Sequence, residues 1–191
     1  MHPMVAFNRP TTSAIRRAEK FSHGRRIDCF GREVFTASSE ALTLRIYLDN
    51  CCFGRPFDDQ NFPRIAEETA AIIFIREQIK ADKLKMATSY MLHHENFQCP
   101  LILRRRAVER FLKAYSAVYV GIGLAESVTT KAAEFMSAGI KEKDACHVAS
   151  AILAECDYFL TVDDRLLKLE SDEIVLINPV DFVKIWEANN K

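Results

Sequence analysis

The chain has 191 residues, 49% of them hydrophobic and 27% charged, with Lys and Arg equal in number to Asp and Glu. That length fills one good core and argues against a second full domain. A formal net charge of zero excludes a molecule that gathers nucleic acid by bulk charge, while leaving room for a local basic groove.

Residues 1–44 differ from the rest: seven Lys or Arg stand against four Asp or Glu, among Ser, Thr and Pro with scattered apolar residues. They read as a disordered or non-native extension, with a domain over 45–188 that begins at its first strand and an alternative start near Leu42 or Leu44. Arg45-Ile46-Tyr47-Leu48 is apolar and β-prone without polar alternation, as expected of a central strand buried on both faces, and it runs into Asp49. Residues 50–63 are rich in turn formers and read as a loop. An amphipathic helix is expected over 64–80, with Ile65, Ala66, Thr69, Ala70, Ile72, Ile73 and Ile75 as its apolar stripe. Glu67 and Glu68 lie mid-helix, where a surface or salt-bridge role is expected rather than metal ligation, Arg55 being a candidate partner.

A second strand is expected over 84–88, then Ser89 as the N-cap of a helix over 90–97. Adjacent His93 and His94 point about 100° apart on a helix, so they are expected to face solvent or pack rather than chelate together. A helix over 101–117 carries Arg104, Arg105 and Arg106. A third strand follows over 118–122, then a helix over 125–138 closed by Gly139. A small-residue helix over 144–156, opened by Asp144, precedes a fourth strand over 158–162 that discharges into Asp163 and Asp164. A fifth strand over 174–177 and a helix from Pro179 to Ala188 complete the chain. Strands alternating with helices imply a three-layer α/β/α domain with a central, largely parallel sheet of about five strands.

Two apolar strands that end in acids bring negative charge to one edge. Carboxylates a few Å apart repel by roughly a few kcal/mol per pair at an effective dielectric near 20, and protons or a cation must settle them. In open parallel sheets ligands bind beyond the carboxyl ends of the strands. Asp49 stands there.

Three blocks carry a resemblance: RIYLDNCCFGRPFDDQ (45–60), TSYMLHHEN (88–96) and GIKEKDACHVASAILAECDYFLTVDDRLL (139–167). Together they resemble the PIN domain family, which includes the VapC-type ribonuclease toxins. The resemblance implies an endoribonuclease dependent on Mg²⁺ or Mn²⁺, with Asp49, Glu95, Asp144 and Asp163 as metal-binding catalytic acids. RNA is the implied substrate; a small antitoxin protein and a second copy of the chain are further partners it suggests. Many members read Asp-Thr-Asn after the first strand, where this chain reads Asp49-Asn50-Cys51.

Asn50 and Thr161 are candidates to orient ligands from behind. Asp164 is a candidate too, although the cap of the following helix is its favoured reading. Arg55 and Arg165 are candidates for RNA phosphates. Hard cations prefer carboxylate oxygen, and no nucleophilic Ser or Cys motif competes. A catalytically silent module that binds RNA or a protein is the alternative. A dehalogenase-type site would need an acid two positions after Asp49, where Cys51 stands. The six cysteines form no C-x-x-C pair and are expected to be reduced, with Cys51 and Cys52 packing. No apolar run approaches the ~20 residues of a membrane span, and no signal-peptide core is visible, so a cytoplasmic protein is expected.

Overall fold

The computed structural model describes residues 43–190; the expected extension lies almost wholly outside the described residues. Pairing of the sheet already begins at Leu44, whose carbonyl accepts from the Lys85 amide at 3.0 Å.

Five parallel strands form one sheet in the order β3-β2-β1-β4-β5. They are β1 (Arg45–Leu48), β2 (Lys85–Ser89), β3 (Ser116–Val120), β4 (Tyr158–Leu160) and β5 (Val175–Ile177). Seven α-helices are found among the described residues: α1 (Asn50–Gly54), α2 (Pro63–Lys80), α3 (Tyr90–Phe97), α4 (Ile102–Tyr115), α5 (Ala125–Ser137), α6 (Glu142–Leu153) and α7 (Pro179–Asn189). Helix α2 packs with α7, and α5 packs with α6, which lies against β2 and β4. The expected layered α/β/α fold with a five-stranded sheet is the one observed; the sheet is parallel throughout. No helix of the described residues is long and apolar enough to cross a membrane.

Ile46, Tyr47 and Leu48 are fully buried, as the unalternating apolar run requires of a strand with neighbours on both sides. Register aligns Tyr47 with Ala87 on β2 and with Phe159 on β4. The order reverses between β1 and β4, so the crevice beyond their carboxyl ends is the topological switch point at which such sheets bind ligands.

Several local expectations need correction. Residues 50–63 are not simply a loop: the chain winds into α1 and a 3₁₀ turn, Arg55–Phe57, before α2. Burial of Cys52 and Phe53 drives this short helix, and local turn chemistry does not reveal that. The third strand starts at Ser116, two residues earlier than expected, because α4 ends at Tyr115 and Ser116 Oγ meets Thr88 Oγ at 2.7 Å across the pair. Ile122 is consequently exposed in a 3₁₀ turn. Helix α6 begins two residues early and stops at Leu153; Glu155 takes φ 54°, which a continuing helix does not allow. On α2 the buried stripe is Glu68, Ala71, Ile72, Ile75 and Ile79, whereas Ile73 faces solvent and Ala70 is exposed. A 3.6-residue period admits Ile72 and Ile75 to one face and turns Ile73 away.

The expected caps are present. Gly139, at φ 88°, takes the left-handed position after α5. Its amide bonds the Met136 carbonyl at 2.9 Å and the Ile140 amide bonds that of Phe135 at 3.1 Å, the Schellman pairing. The chain is thereby turned directly into α6. Ser89 Oγ caps α3 by accepting from the Leu92 amide.

Glu68 is the buried polar exception in the α2 stripe. At 1% exposure its carboxylate accepts from Arg55 at 2.6 Å, Arg64 at 2.9 Å and Asn178 Nδ2 at 2.9 Å, joining the 3₁₀ turn, α2 and the start of α7. The expected Glu68–Arg55 salt bridge is therefore present. Glu68→Ala is expected to lower stability by about 2 kcal/mol, since it strands two cations and an amide around an emptied site. Thermal unfolding should register this as a Tm lower by roughly 4–8 °C.

Candidate metal centre

Asp49 follows β1 directly, and its amide donates to the Leu160 carbonyl of β4 at 2.9 Å. The side chain is buried. Its Oδ2 accepts two hydrogen bonds, from Thr161 Oγ1 at 2.8 Å and from Cys51 Sγ at 2.9 Å, while Oδ1 has no hydrogen-bond partner among the described residues. Thr161 thus holds the acid from behind, as expected. Cys51 does more than pack: its thiol also touches Thr161 at 3.3 Å.

Asp163 stands three residues beyond β4, and its amide donates to Thr161 Oγ1 at 3.1 Å. Its carboxylate is turned onto Arg165, taking Nε at 3.1 Å and Nη2 at 2.5 Å, with the Arg165 amide at 2.8 Å. The hydrogen bonds from Arg165 hold Asp163 below the usual carboxylate range. Asp164 does not cap the next turn as expected: the turn over Leu166–Lys168 has no side-chain cap, and the Arg165 amide before it donates to Asp163. Asp164 instead forms a two-pronged pair with Arg64, at 2.6 and 2.9 Å.

Asp144 lies in the first turn of α6, half-buried. Its carboxylate has no hydrogen bond or ion pair among the described residues. Burial pushes its pKa up, and the charges of Asp49 and Asp163 push it further, against Arg165. These three acids therefore face one another electrostatically across the switch point.

Glu95, on α3, joins through α6. His147 lies one helical turn after Asp144, and its Nε2 meets Glu95 Oε2 at 2.9 Å. That bond is the first cause of a Glu95 carboxyl held below its ordinary range, to which the Asn50 side chain adds the smallest contribution. Behind His147, Nδ1 meets Tyr47 Oη at 2.9 Å, and Tyr47 Oη meets Ser89 Oγ at 2.7 Å. A ring with its hydrogen on Nε2 uses every donor in this chain: Leu92 amide to Ser89, Ser89 to Tyr47, Tyr47 to Nδ1, Nε2 to Glu95.

His147 and Tyr47 are the site residues that sequence reasoning missed. The signals were present: His147 is at i+3 from Asp144 on one helix face, and Tyr47 shares a strand face with Asp49. His93 and His94 do not join the site. His93 contacts Glu109 at 3.3 Å and packs edge-on against Tyr119, while His94 is exposed. Arg55, committed to Glu68 and Asp58, and Arg165 line the same cleft of about 580 Å³ as Asp163 and Arg104.

Among the described residues, no three His, Cys, Asp or Glu side chains stand ready to hold a metal ion. The four acids thus gather at one edge without forming a finished coordination shell. Asp163 is bound to Arg165 and Glu95 to His147. The donor set nevertheless fits a hard divalent cation in kind: the unpartnered Asp144 carboxylate and the free Oδ1 of Asp49 offer only oxygen. The five described cysteines are all free, as expected of thiols. No protein-family model matches the chain, and no curated protein matches it.

The Asp144 shift fixes a sign for pH. A folded carboxyl raised above its unfolded value binds more protons than the unfolded chain, so its contribution to stability falls as pH rises through and above the ordinary carboxylate range. Asp144→Asn is therefore expected to melt above the wild type at pH 7, with the gap closing below about pH 4. Differential scanning calorimetry across that range checks both ends.

Proposed function

We propose that the chain is a metal-dependent endoribonuclease of PIN-domain type, cutting RNA at the carboxylate edge of β1 and β4. The observation that carries the reading is Asp144: half-buried, without a partner among the described residues, and with a pKa raised by burial and then by the charges of Asp49 and Asp163. Such a cluster is relieved by a cation. Asp49, Asp144 and Asp163 would hold Mg²⁺ or Mn²⁺, with Glu95 completing the set. When bound, the ion supplies a water acidic enough to attack a phosphodiester and charge to offset the leaving oxygen.

The protein's own residues prepare this. Thr161 and Cys51 fix Asp49 through Oδ2 and leave Oδ1 without a hydrogen bond among the described residues. The Tyr47–His147 chain fixes the Glu95 carboxylate without occupying both of its oxygens. Arg165 neutralises Asp163; on release it is placed to take an RNA phosphate, a contact that positions without reading sequence. A small antitoxin and a second copy of the chain are the protein partners this reading carries.

One observation favours the catalytically silent module instead, namely the Asp163–Arg165 pair in place of a ready coordination shell. Two measurements separate the readings. Under the nuclease reading, Asp49→Asn and Asp144→Asn each lower Mn²⁺-supported cleavage of single-stranded RNA by about two orders of magnitude or more, with circular dichroism unchanged. Wild-type protein that binds RNA and never cuts it with either metal establishes the silent module. Thr161→Val is expected to weaken Mn²⁺ binding about 10–100-fold, and Arg165→Ala to tighten it while raising KM for RNA. Calorimetric titration and steady-state kinetics read the two effects.

A further inference from the structure

Helix α4 carries three consecutive arginines, Arg104–Arg106, from its third residue on, and successive residues on a helix diverge by about 100°. Arg104 turns into the carboxylate cleft. It passes so close to Gly54 that a Cβ there would lie 2.7 Å from its Nη2. Arg105 and Arg106 turn the other way, into a hollow of about 840 Å³ between α3 and α4. The start of α4 is thus a positively charged saddle joining two hollows.

The second hollow is basic in its own right. Arg105, Arg106, Arg110 and Lys113 line it against one carboxylate, Glu109, which is already held by Lys113 at 3.1 Å and His93 at 3.3 Å. Among the described residues, no carboxylate lies within 4.0 Å of the guanidinium of Arg105, Arg106 or Arg110. Flat and apolar surface interleaves with the charge: Phe97 is 70% exposed, with Arg105 stacked 5.3 Å from its ring centre, and Leu103 is 82% exposed.

From this we propose that the α3–α4 groove is a binding track for single-stranded RNA, continuous over Arg104–Arg106 with the cleft where the strand is cut. The inference rests on the nuclease reading for the identity of the polyanion and deepens it. Two features select a nucleic acid strand over an acidic peptide. Adjacent residues of α4 put cations in both hollows, as a regularly charged backbone passing over the helix start requires, and the exposed Phe97 ring offers the stacking face that unpaired bases use. Arg105, seated on that ring, places a cation beside the stacked base, and Arg106 and Arg110 meet its phosphates.

The test uses the full chain with EDTA present, so that nothing is cut, and a fluorescein-labelled 12-nucleotide oligouridine read by anisotropy. The triple variant Arg105→Gln, Arg106→Gln, Arg110→Gln is expected to bind at least tenfold more weakly, with a log–log salt slope shallower by about 2. Phe97→Ala is expected to weaken binding severalfold at unchanged slope. A 12-mer carrying 4-thiouridine should photo-cross-link to the peptide spanning residues 97–110. Unchanged affinity in the triple variant, cross-links confined to other segments, or equal displacement by polyglutamate would overturn the track. RNA cleavage that persists beside such a result would leave the nuclease standing alone. Groove binding by a protein that never cleaves would sink the nuclease and keep the track.

Discussion

Like charge held close together is the constraint on which this molecule turns. Three carboxylates, Asp49, Asp144 and Asp163, face one edge of the sheet, and the fold keeps them there by partnering some and leaving one without. Thr161 and Cys51 steady Asp49, and Arg165 neutralises Asp163. Asp144 has no such partner, and burial first, then the charges of Asp49 and Asp163, raise its pKa against a smaller pull from Arg165 and His147. A site of this kind is destabilising to the folded chain while Asp144 is ionised.

Rigidity around the edge comes from two buried polar assemblies. On one side Glu68 gathers Arg55, Arg64 and Asn178, while Arg64 reaches on to Asp164. The rim of the cleft is thereby fixed to α2 and α7. On the other side the chain from Ser89 through Tyr47 and His147 ends on Glu95. Both are well satisfied, which matters because a half-satisfied buried network costs more than an apolar core. Together they set the acids within a frame while leaving the contested position between them open.

Much of this was legible in residue order. The unalternating run before Asp49 announced a central strand, and Gly139 and Ser89 announced their caps; Arg55 was a candidate partner for Glu67 and Glu68, and burial of Glu68 decided between them. Errors clustered where tertiary contacts outvoted local chemistry. Burial of Cys52 and Phe53 wound a turn-rich stretch into α1, and pairing with β2 moved the third strand to Ser116. Asp163 and Asp164 are neighbours with interchangeable local roles. Only the position of Arg64, a hundred residues away in the chain, decided that Asp164 pairs with it while Asp163 turns onto Arg165.

Sequence alone determined the layered α/β architecture and the strand that carries Asp49, because periodicity and strand-ending charges are local properties of the chain. Tertiary structure decided the strand order, the His147–Glu95 bond and the capture of Asp163 by Arg165. It also decided that the carboxylates face one another without closing into a shell. Those outcomes depend on which side chains meet through space, and hydrogen bonds and Coulomb forces act over a few Å irrespective of separation along the backbone.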